Sequence, residues 1–219
     1  MAVSPPIWDN LPAACRILPN WVLWKPLERE GRITKVPLDR YGNLASSTAP
    51  HSWCHLDEAR KAHEGGIGQG VGFIFTRKVG ISGVDLDHCR DPSTGEIDTW
   101  AQTIIAQLGS YAEISPSGAG VHILLKGSLP EGTDGKKKLL KGDGYRPDAA
   151  AEIYSAGRYF TMTGQHLPNS PSTVEDCQDA LTALFTEIFG PAKDNTKNEE
   201  KGQEKAQDGP RVDQGGPSA

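Results

Sequence analysis

The sequence predicts an α+β domain whose helices pack on an antiparallel sheet. Short apolar segments recur along the chain and end in glycine-rich turns, which is typical of strands joined by tight connections. Segments with helical spacing lie between some of these strands. The 219 residues suffice for one folded domain with a small subdomain, and 37% hydrophobic residues suffice for a packed core.

The first half of the chain contains four predicted strands. Residues 21–25 (WVLWK) and 33–37 (ITKVP) flank a turn that contains Gly31, so we predict that they pair. Residues 70–75 (GVGFIF) are apolar and rich in glycine, as a buried strand can be. Residues 81–87 (ISGVDLD) predict a further strand.

The second half contains four more predicted strands. Residues 111–115 and 121–126 are joined by SPSGAG, whose composition is typical of a turn. Residues 151–154 and 159–163 are separated by Ala156-Gly157. The eight segments together account for the predicted sheet.

Three helices are predicted. Ser52 can cap the first turn of one helix, because residues with helical spacing follow it. Residues 97–108 place their large apolar side chains on one side of a second helix. The third helix covers residues 173–189, has acidic residues in its first turn, and ends at Gly190-Pro191.

The C-terminal segment differs in composition from the rest. From about residue 193 onward it is polar and glycine-rich with almost no apolar residues, so it cannot bury enough surface to fold. We therefore predict a folded domain at residues 1–191 and a disordered tail or linker at residues 192–219.

The composition argues against membrane and zinc-ribbon proteins. No apolar segment approaches the ~20 residues of a membrane-spanning helix, and residues 1–8 lack the pattern of a secretory signal. We therefore expect a cytoplasmic protein without membrane contact. No two of the four cysteines form a CxxC pair, so free thiols are expected rather than a zinc site.

The net charge of −5 is unusual for a nucleic-acid-binding protein, but local charge matters more at a site that collects carboxylates. A basic cluster can contact phosphates, and it can equally be a solvated loop. Both interpretations remain open for the cluster formed by Lys136, Lys137, Lys138, Lys141 and Arg146.

The segment 83–88 (GVDLDH) carries two carboxylates on one predicted strand. Because strand side chains alternate between faces, Asp85 and Asp87 point to one side, and Val84 and Leu86 point into the core. Two adjacent like charges are unfavourable unless a cation or a basic group lies between them, and oxygen ligands suit Mg²⁺ or Mn²⁺. The alternative is a strand end that runs into a polar surface loop.

A turn of small residues precedes a histidine at residues 115–122 (SPSGAGVH). Ser115 and Ser117 offer hydroxyl donors, and glycines such as Gly118 leave backbone N–H groups accessible to phosphate oxygens. His122 alternates with apolar neighbours and should face a polar side, where it can stabilise charge on a phosphate. The alternative is a half-buried imidazole with a structural role.

The segment 151–164 carries an acid within an apolar strand. Glu152 requires a partner there and is a candidate third metal ligand. Arg158 follows the turn, and its planar guanidinium suits a triphosphate. The alternative is a structural ion pair between Glu152 and Arg158. Asp148 is a competing carboxylate in a less constrained loop.

The order of these motifs resembles the archaeo-eukaryotic primase superfamily, in particular the bifunctional primase-polymerase domains of phage and plasmid replication proteins. The family's motifs are matched by VDLD at 84–87, SPSGAGVH at 115–122, AEIY at 151–154 and RYFTMTG at 158–164. WVLWKP and TKVPLD resemble the usual entry to the domain. The resemblance covers roughly residues 20–164.

The resemblance implies a primase-type core in which a small α/β unit packs on an RRM-like antiparallel sheet unit, with the site in the cleft between them. By that likeness Asp85, Asp87 and Glu152 hold Mg²⁺ or Mn²⁺. His122 and Arg158 contact the phosphates of the incoming nucleotide.

The resemblance also implies partners: a single-stranded DNA template, nucleoside triphosphates, and a replicative helicase in the same chain or a separate one. Lys35 is a further candidate for a phosphate or template contact.

Three functions are compatible with these residues. The favoured one is a DNA-template-dependent nucleotidyltransferase that acts as primase, polymerase or both. The second is a metal-dependent phosphodiesterase or nuclease that uses the same carboxylates. The third is a non-catalytic module that binds single-stranded DNA or a replication origin, in which the carboxylates would be dispensable.

Overall fold

The computed structural model describes residues 4–29 and 31–191, and it shows a mixed α and β fold with two antiparallel sheets. The predicted tail at 192–219 lies outside the described residues. The strands are β1 Trp21–Arg29, β2 Arg32–Leu38, β3 Gly70–Ile74, β4 Ile81–Asp87, β5 Tyr111–Ile114, β6 Val121–Lys126, β7 Gly135–Leu139, β8 Ala150–Tyr154 and β9 Tyr159–Met162. The helices are α1 Ala13–Arg16, α2 Leu56–Glu64, α3 Thr99–Leu108 and α4 Gln178–Phe189.

The first sheet has four strands in the order β2-β1-β3-β9. β1 and β2 form the predicted antiparallel hairpin, with Trp24 opposite Pro37. The two remaining strands come from distant parts of the sequence, since Phe73 on β3 pairs with Phe160 on β9. The helix α2 packs against β1 and β3.

The second sheet has five strands in the order β5-β6-β4-β8-β7. β4 lies at the centre and pairs antiparallel with β6 on one side and β8 on the other. One face of this sheet packs against α3 and α4, through buried side chains that include Val84, Leu86, Ile153, Leu184 and Phe185. The predicted inward orientation of Val84 and Leu86 is confirmed, because both are fully buried in this core.

The opposite face of the second sheet meets the first sheet through aromatic side chains. The rings on the first-sheet side pack on each other: Phe73 packs edge-on against Phe75 at a centroid distance of 5.8 Å, and Phe75 packs edge-on against Phe160 at 4.8 Å. Each such aromatic pair adds about 0.5–1.5 kcal/mol beyond its buried area. Phe160 lies on β9 of the first sheet and contacts the ring of His122 on β6 of the second, with ring centroids 5.0 Å apart.

Two predicted helix starts are wrong. Ser52 does not open a helix: it lies in a 3-10 turn, where its hydroxyl donates to the Ala49 carbonyl oxygen. The helix α2 begins at Leu56 instead, because the Glu58 carboxylate accepts the backbone N–H of His55 in a capping arrangement.

The last helix begins at Gln178 rather than at residue 173. The backbone carbonyls of the preceding residues accept hydrogen bonds from strands: the Thr173 carbonyl accepts the Tyr111 N–H, and the Glu175 carbonyl accepts the Lys126 N–H. Its predicted end at Gly190 is confirmed.

The basic segment at residues 136–138 is a strand, β7, and not a loop. Its side chains therefore alternate between two faces. The Lys136 ammonium lies 5.1 Å from the ring centroid of Phe185, and the Lys138 ammonium donates to the Ile188 carbonyl at 2.6 Å near the end of α4. Lys137 points the other way.

None of the described helices is both long and apolar enough to cross a membrane.

Gly83 lets the two sheets approach each other beside Asp85. A Cβ at this position would lie 2.5 Å from ring carbons of both Phe75 and Phe160. We expect Gly83→Ala to lower the free energy of unfolding by about 1–3 kcal/mol, because the added methyl overpacks the interface. Urea unfolding followed by tryptophan fluorescence measures the loss.

The control is the double variant Gly83→Ala/Phe160→Leu, in which the smaller side chain makes room for the methyl. The two losses should be less than additive. Full additivity would show that the methyl and the Phe160 ring do not compete for space.

Candidate active site

The antiparallel register of the second sheet places five polar residues in one row across it. Glu113 on β5 is opposite His122 on β6, His122 is opposite Asp85 on β4, Asp85 is opposite Glu152 on β8, and Glu152 is opposite Lys137 on β7. Directly paired residues share a face of the sheet. The row therefore presents its charged side chains together, on the face that meets the first sheet.

The adjacent row shows why the face is unambiguous. It contains Ala112, Ile123, Val84 and Ile153 in the same register, and all four are fully buried against α3 and α4. A shift of one residue in β4, β5, β6 or β8 would bury a polar or charged side chain in that core, so the apolar row fixes the position of the polar row.

Asp85, Asp87 and Glu152 form the cluster predicted from the sequence. One carboxylate oxygen of each lies within 4.8 Å of the others. Oδ1 of Asp85 is buried and has no hydrogen-bond partner among the described residues. A buried carboxylate oxygen without a partner is unfavourable, and a hard divalent cation would satisfy it. The donor set therefore fits Mg²⁺ or Mn²⁺.

The pKa values of the buried carboxyls shift in opposite directions. Burial raises the pKa of Asp85 to about 6; the charges of Asp87 and Glu152 add to this rise, and that of His122 opposes it. Burial also disfavours ionisation of Glu152, but hydrogen bonds from Lys137 and Tyr154 outweigh it and lower the pKa of Glu152 below its ordinary value. The uncompensated charge of the cluster therefore lies at Asp85.

Lys137 and Tyr154 hold Glu152 from two sides. The Lys137 ammonium donates to Oε1 of Glu152 and lies 3.4 Å from Oδ2 of Asp87. The Tyr154 hydroxyl donates to Oε2 of Glu152 at 2.9 Å. The Arg158 guanidinium lies 3.7 Å from the same oxygen, so the predicted proximity of Arg158 and Glu152 is present.

His122 lies between two carboxylates. Its Nε2 is 3.6 Å from Oδ1 of Asp85, and its Nδ1 is 3.8 Å from Oε1 of Glu113. Burial alone would lower the pKa of His122, but the charges of Asp85 and Glu113 raise it above its ordinary value. The imidazole is therefore biased toward its cationic form beside the carboxylate cluster.

Glu113 is fully buried and connects the two sheets. Its carboxylate accepts hydrogen bonds from the Tyr111 hydroxyl at 2.8 Å, from the Thr163 N–H at 2.8 Å and from the Gly164 N–H at 2.9 Å. The two N–H donors belong to the segment directly after β9. The same carboxylate thus ties the sheets together and faces His122.

A cavity of about 410 Å³ opens beside the row. Four predicted site residues line it: Lys35, Asp85, His122 and Arg158. Desolvation lowers the pKa of Lys35, and the charges of Asp85 and Asp87 partly offset that change. Three cationic side chains thus line one cavity together with Asp85, which is one member of the carboxylate cluster.

Ser115, Ser117 and Gly118 lie at the tip of the β5–β6 hairpin, and the lining of this cavity does not include them. The two serine hydroxyls bond to each other at 3.0 Å, and the Gly118 N–H donates to the Ser115 carbonyl. The Gly118 carbonyl accepts a hydrogen bond from Arg90 at 2.7 Å. Much of the donor capacity of the turn is used within the hairpin.

Two other candidates lie apart from the carboxylate cluster. Asp148 is exposed in a loop with a left-handed φ of 62°, and it is not one of the three clustered carboxylates. Arg146 forms an ion pair with Asp98 at 2.9 Å rather than extending the basic cluster.

Sequence reasoning did not identify Glu113, the pairing role of Lys137, or Tyr154. Glu113 lies in YAEI, where a lone acid between apolar residues is the same signal that identified Glu152 in AEIY. Lys137 is one of three consecutive lysines, and only the alternation of β7 distinguishes it from its neighbours.

Comparison with known proteins identifies one phage relative. The chain is 35% identical over 172 residues to a protein named DNA Primase-polymerase from Nitratiruptor phage NrS-1. The match covers 78% of this chain and 21% of the phage protein, so the chain spans about a fifth of that protein's length. No family model matches the chain. The identity supports a relationship to primase-polymerases, as the motif order predicts.

Asp85 makes the stability of the metal-free protein depend on pH. Its carboxyl binds a proton more tightly in the folded state than in the unfolded state, so the free energy of unfolding falls as pH rises from about 4 to about 6. We expect this fall in the free energy of unfolding to be smaller in Asp85→Asn than in the wild type by about 1–3 kcal/mol. Urea unfolding in EDTA across that range measures it.

Glu187→Gln is the matched control, because Glu187 is an exposed acid on α4. It should retain the pH dependence of the wild type. An identical pH profile for Asp85→Asn and the wild type would contradict the assignment.

Glu113 should contribute strongly to the stability of the folded protein. Glu113→Ala leaves the Tyr111 hydroxyl and two buried N–H groups without their acceptor, which should lower the free energy of unfolding by about 3 kcal/mol or more. Glu113→Gln keeps one acceptor oxygen and should lose about half as much. Equal stability of Glu113→Ala and the wild type in urea would show that the connection contributes nothing.

Proposed function

We propose that this chain catalyses DNA-template-dependent nucleotidyl transfer, as a DNA primase, a DNA polymerase or both, in phage or plasmid replication. The observation that carries the proposal is the cluster of Asp85, Asp87 and Glu152 beside a cavity lined by cationic side chains. The relationship to a phage protein named DNA Primase-polymerase supports it.

We further propose that the core is of the archaeo-eukaryotic primase type, with the five-stranded sheet as its RRM-like unit. The order of the motifs supports this assignment, and two antiparallel sheets with a site between them are compatible with it. A replicative helicase, in the same polypeptide or a separate one, is the proposed partner.

Mg²⁺ or Mn²⁺ would be held by Asp85, Asp87 and Glu152. When bound, such a cation polarises the α-phosphate and lowers the pKa of the primer hydroxyl. The unpartnered Oδ1 of Asp85 is the feature of the protein that favours cation binding most directly. The three carboxylates come from the adjacent strands β4 and β8, so the sheet itself fixes their spacing.

The cationic side chains around the cavity would bind the triphosphate. His122, biased toward its charged form, can donate to a phosphate oxygen near the carboxylate cluster. Arg158 and Lys35 line the same cavity and can hold the outer phosphates as pyrophosphate leaves. Ser115, Ser117 and Gly118 remain proposed phosphate contacts, at the hairpin tip rather than in this cavity.

The bond changes follow from the substrates. The primer 3′-hydroxyl gives up its proton to water, and its oxygen attacks the α-phosphorus to form a new phosphodiester bond. The bond between the α-phosphorus and the oxygen that bridges to the β-phosphate breaks and releases pyrophosphate. The protein's own contribution is to position both reactants and to balance the growing charge on the leaving group. Charge around the cavity is suited to that task because desolvated electrostatic interactions are stronger than those in water.

The direct test supplies single-stranded DNA, labelled nucleoside triphosphates and Mg²⁺ or Mn²⁺, with and without an annealed primer. We expect products whose sequence follows the template, and a loss of at least about a hundredfold in Asp85→Asn, because a metal ligand is removed. Gel electrophoresis of the labelled products provides the readout. Glu187→Gln should retain wild-type incorporation.

Three outcomes separate the candidate functions. Pyrophosphate release that matches nucleotide incorporation indicates a polymerase, and products formed without primer add primase activity. DNA cleavage without use of triphosphates would replace the proposal with a nuclease. Equal DNA binding by the wild type and Asp85→Asn, with no chemistry in either metal, would leave a non-catalytic binding module.

A further inference from the structure

Lys137 places a cation among the proposed metal ligands. Its ammonium donates to Oε1 of Glu152 and lies 3.4 Å from Oδ2 of Asp87, so it bridges two of the three clustered carboxylates. The backbone register explains the position, because Lys137 is directly opposite Glu152 across the β7–β8 pair.

The neighbouring lysines do not share this role. Lys136 and Lys138 point to the other face of β7, where they contact the C-terminal half of α4. The three consecutive lysines therefore divide into two that pack on a helix and one that pairs with the carboxylates. Of these three lysines, Lys137 is the one whose charge is directed toward the carboxylates.

Both oxygens of Glu152 are already engaged in this arrangement. Oε1 accepts from Lys137, and Oε2 accepts from Tyr154. Glu152 is 4% exposed, so solvent cannot replace a lost partner. A metal ion that takes Oε1 of Glu152 and an oxygen of Asp87 must therefore remove the ammonium from both.

Lys137 is able to leave. Its side chain is 49% exposed, and β7 is the edge strand of the sheet. Lysine has a flexible stem and a strongly hydrated ammonium, so its head group can move into water when a metal ion takes its place beside the buried Glu152. Arg158, the other cation at Glu152, lies farther from the carboxylate, at 3.7 Å.

We propose that Lys137 is the counter-ion of the carboxylate cluster in the metal-free protein. Its ammonium occupies the cation position there and is displaced when a divalent metal binds. The inference rests on the proposed function, since it takes the cluster to be the metal site. Lys137 thereby stabilises the metal-free fold and weakens metal affinity, because each metal ion must compete with a tethered cation.

The experiment measures binding of Mn²⁺ alone, with the free ion counted by its electron paramagnetic resonance signal. Lys137→Met removes the ammonium and keeps the apolar stem. We expect it to bind Mn²⁺ about tenfold more tightly than the wild type, because the competing charge is gone. We also expect its unfolding midpoint in EDTA to fall, since the carboxylates then repel each other without compensation.

Two further variants control for charge and folding. Lys136→Met removes the same charge from the same strand on the opposite face, and it should leave Mn²⁺ affinity unchanged. Lys137→Arg keeps a cation beside Glu152 and should bind Mn²⁺ no more tightly than the wild type. Circular dichroism confirms that each variant is folded before titration.

The outcomes distinguish this inference from the proposed function. Equal Mn²⁺ affinity for the wild type and Lys137→Met, with nucleotide incorporation intact in the wild type, would overturn the counter-ion role and leave the proposed function standing. Equal Mn²⁺ affinity for the wild type and Asp85→Asn would remove the metal site, and both proposals would fall. Tighter Mn²⁺ binding by Lys137→Met, with no such gain in Lys136→Met or Lys137→Arg, supports the inference.

Discussion

The antiparallel register of the five-stranded sheet is the constraint on which the rest of the site depends. It aligns one polar residue from each strand into a row: a buried acid, a histidine, two carboxylates and a lysine. The register is itself fixed by the apolar row on the neighbouring positions, which packs against α3 and α4. The hydrophobic core thus determines which charges meet, although it contains none of them.

The contact between the two sheets turns this charged row into a partly desolvated site. Phe160 approaches from the first sheet, stacks near His122 and packs against Gly83, where the absence of a side chain permits the close approach. Glu113 fastens the same junction through N–H groups of Thr163 and Gly164. The structural junction and the site share residues, so changes in one will be felt in the other.

The charges of the site are only partly balanced. Glu152 has Lys137, Tyr154 and Arg158 around it, and its carboxyl is held in the ionised form. Asp85 has the more distant His122 and the charge of Lys35 near it, and burial still raises its pKa. A buried carboxylate whose charge is only partly balanced lowers the stability of the metal-free protein. The protein is therefore not optimised for stability at this point.

The sequence by itself determined the central strands of the five-stranded sheet, β4, β6 and β8, and which of their side chains form the polar face. Alternation in VDLD, VHILL and AEIY shows which side chains oppose the core, because that pattern is local to each strand. The start of α4 and the state of residues 136–138 were not predictable, because the bonds that decide them come from β5, β6 and β8.

Only the tertiary structure decided that Lys137 meets Glu152, that Glu113 lies beside His122, and that Lys35 lines the same cavity as Asp85 and His122. Those contacts depend on strand order and register, which no single segment of the sequence encodes.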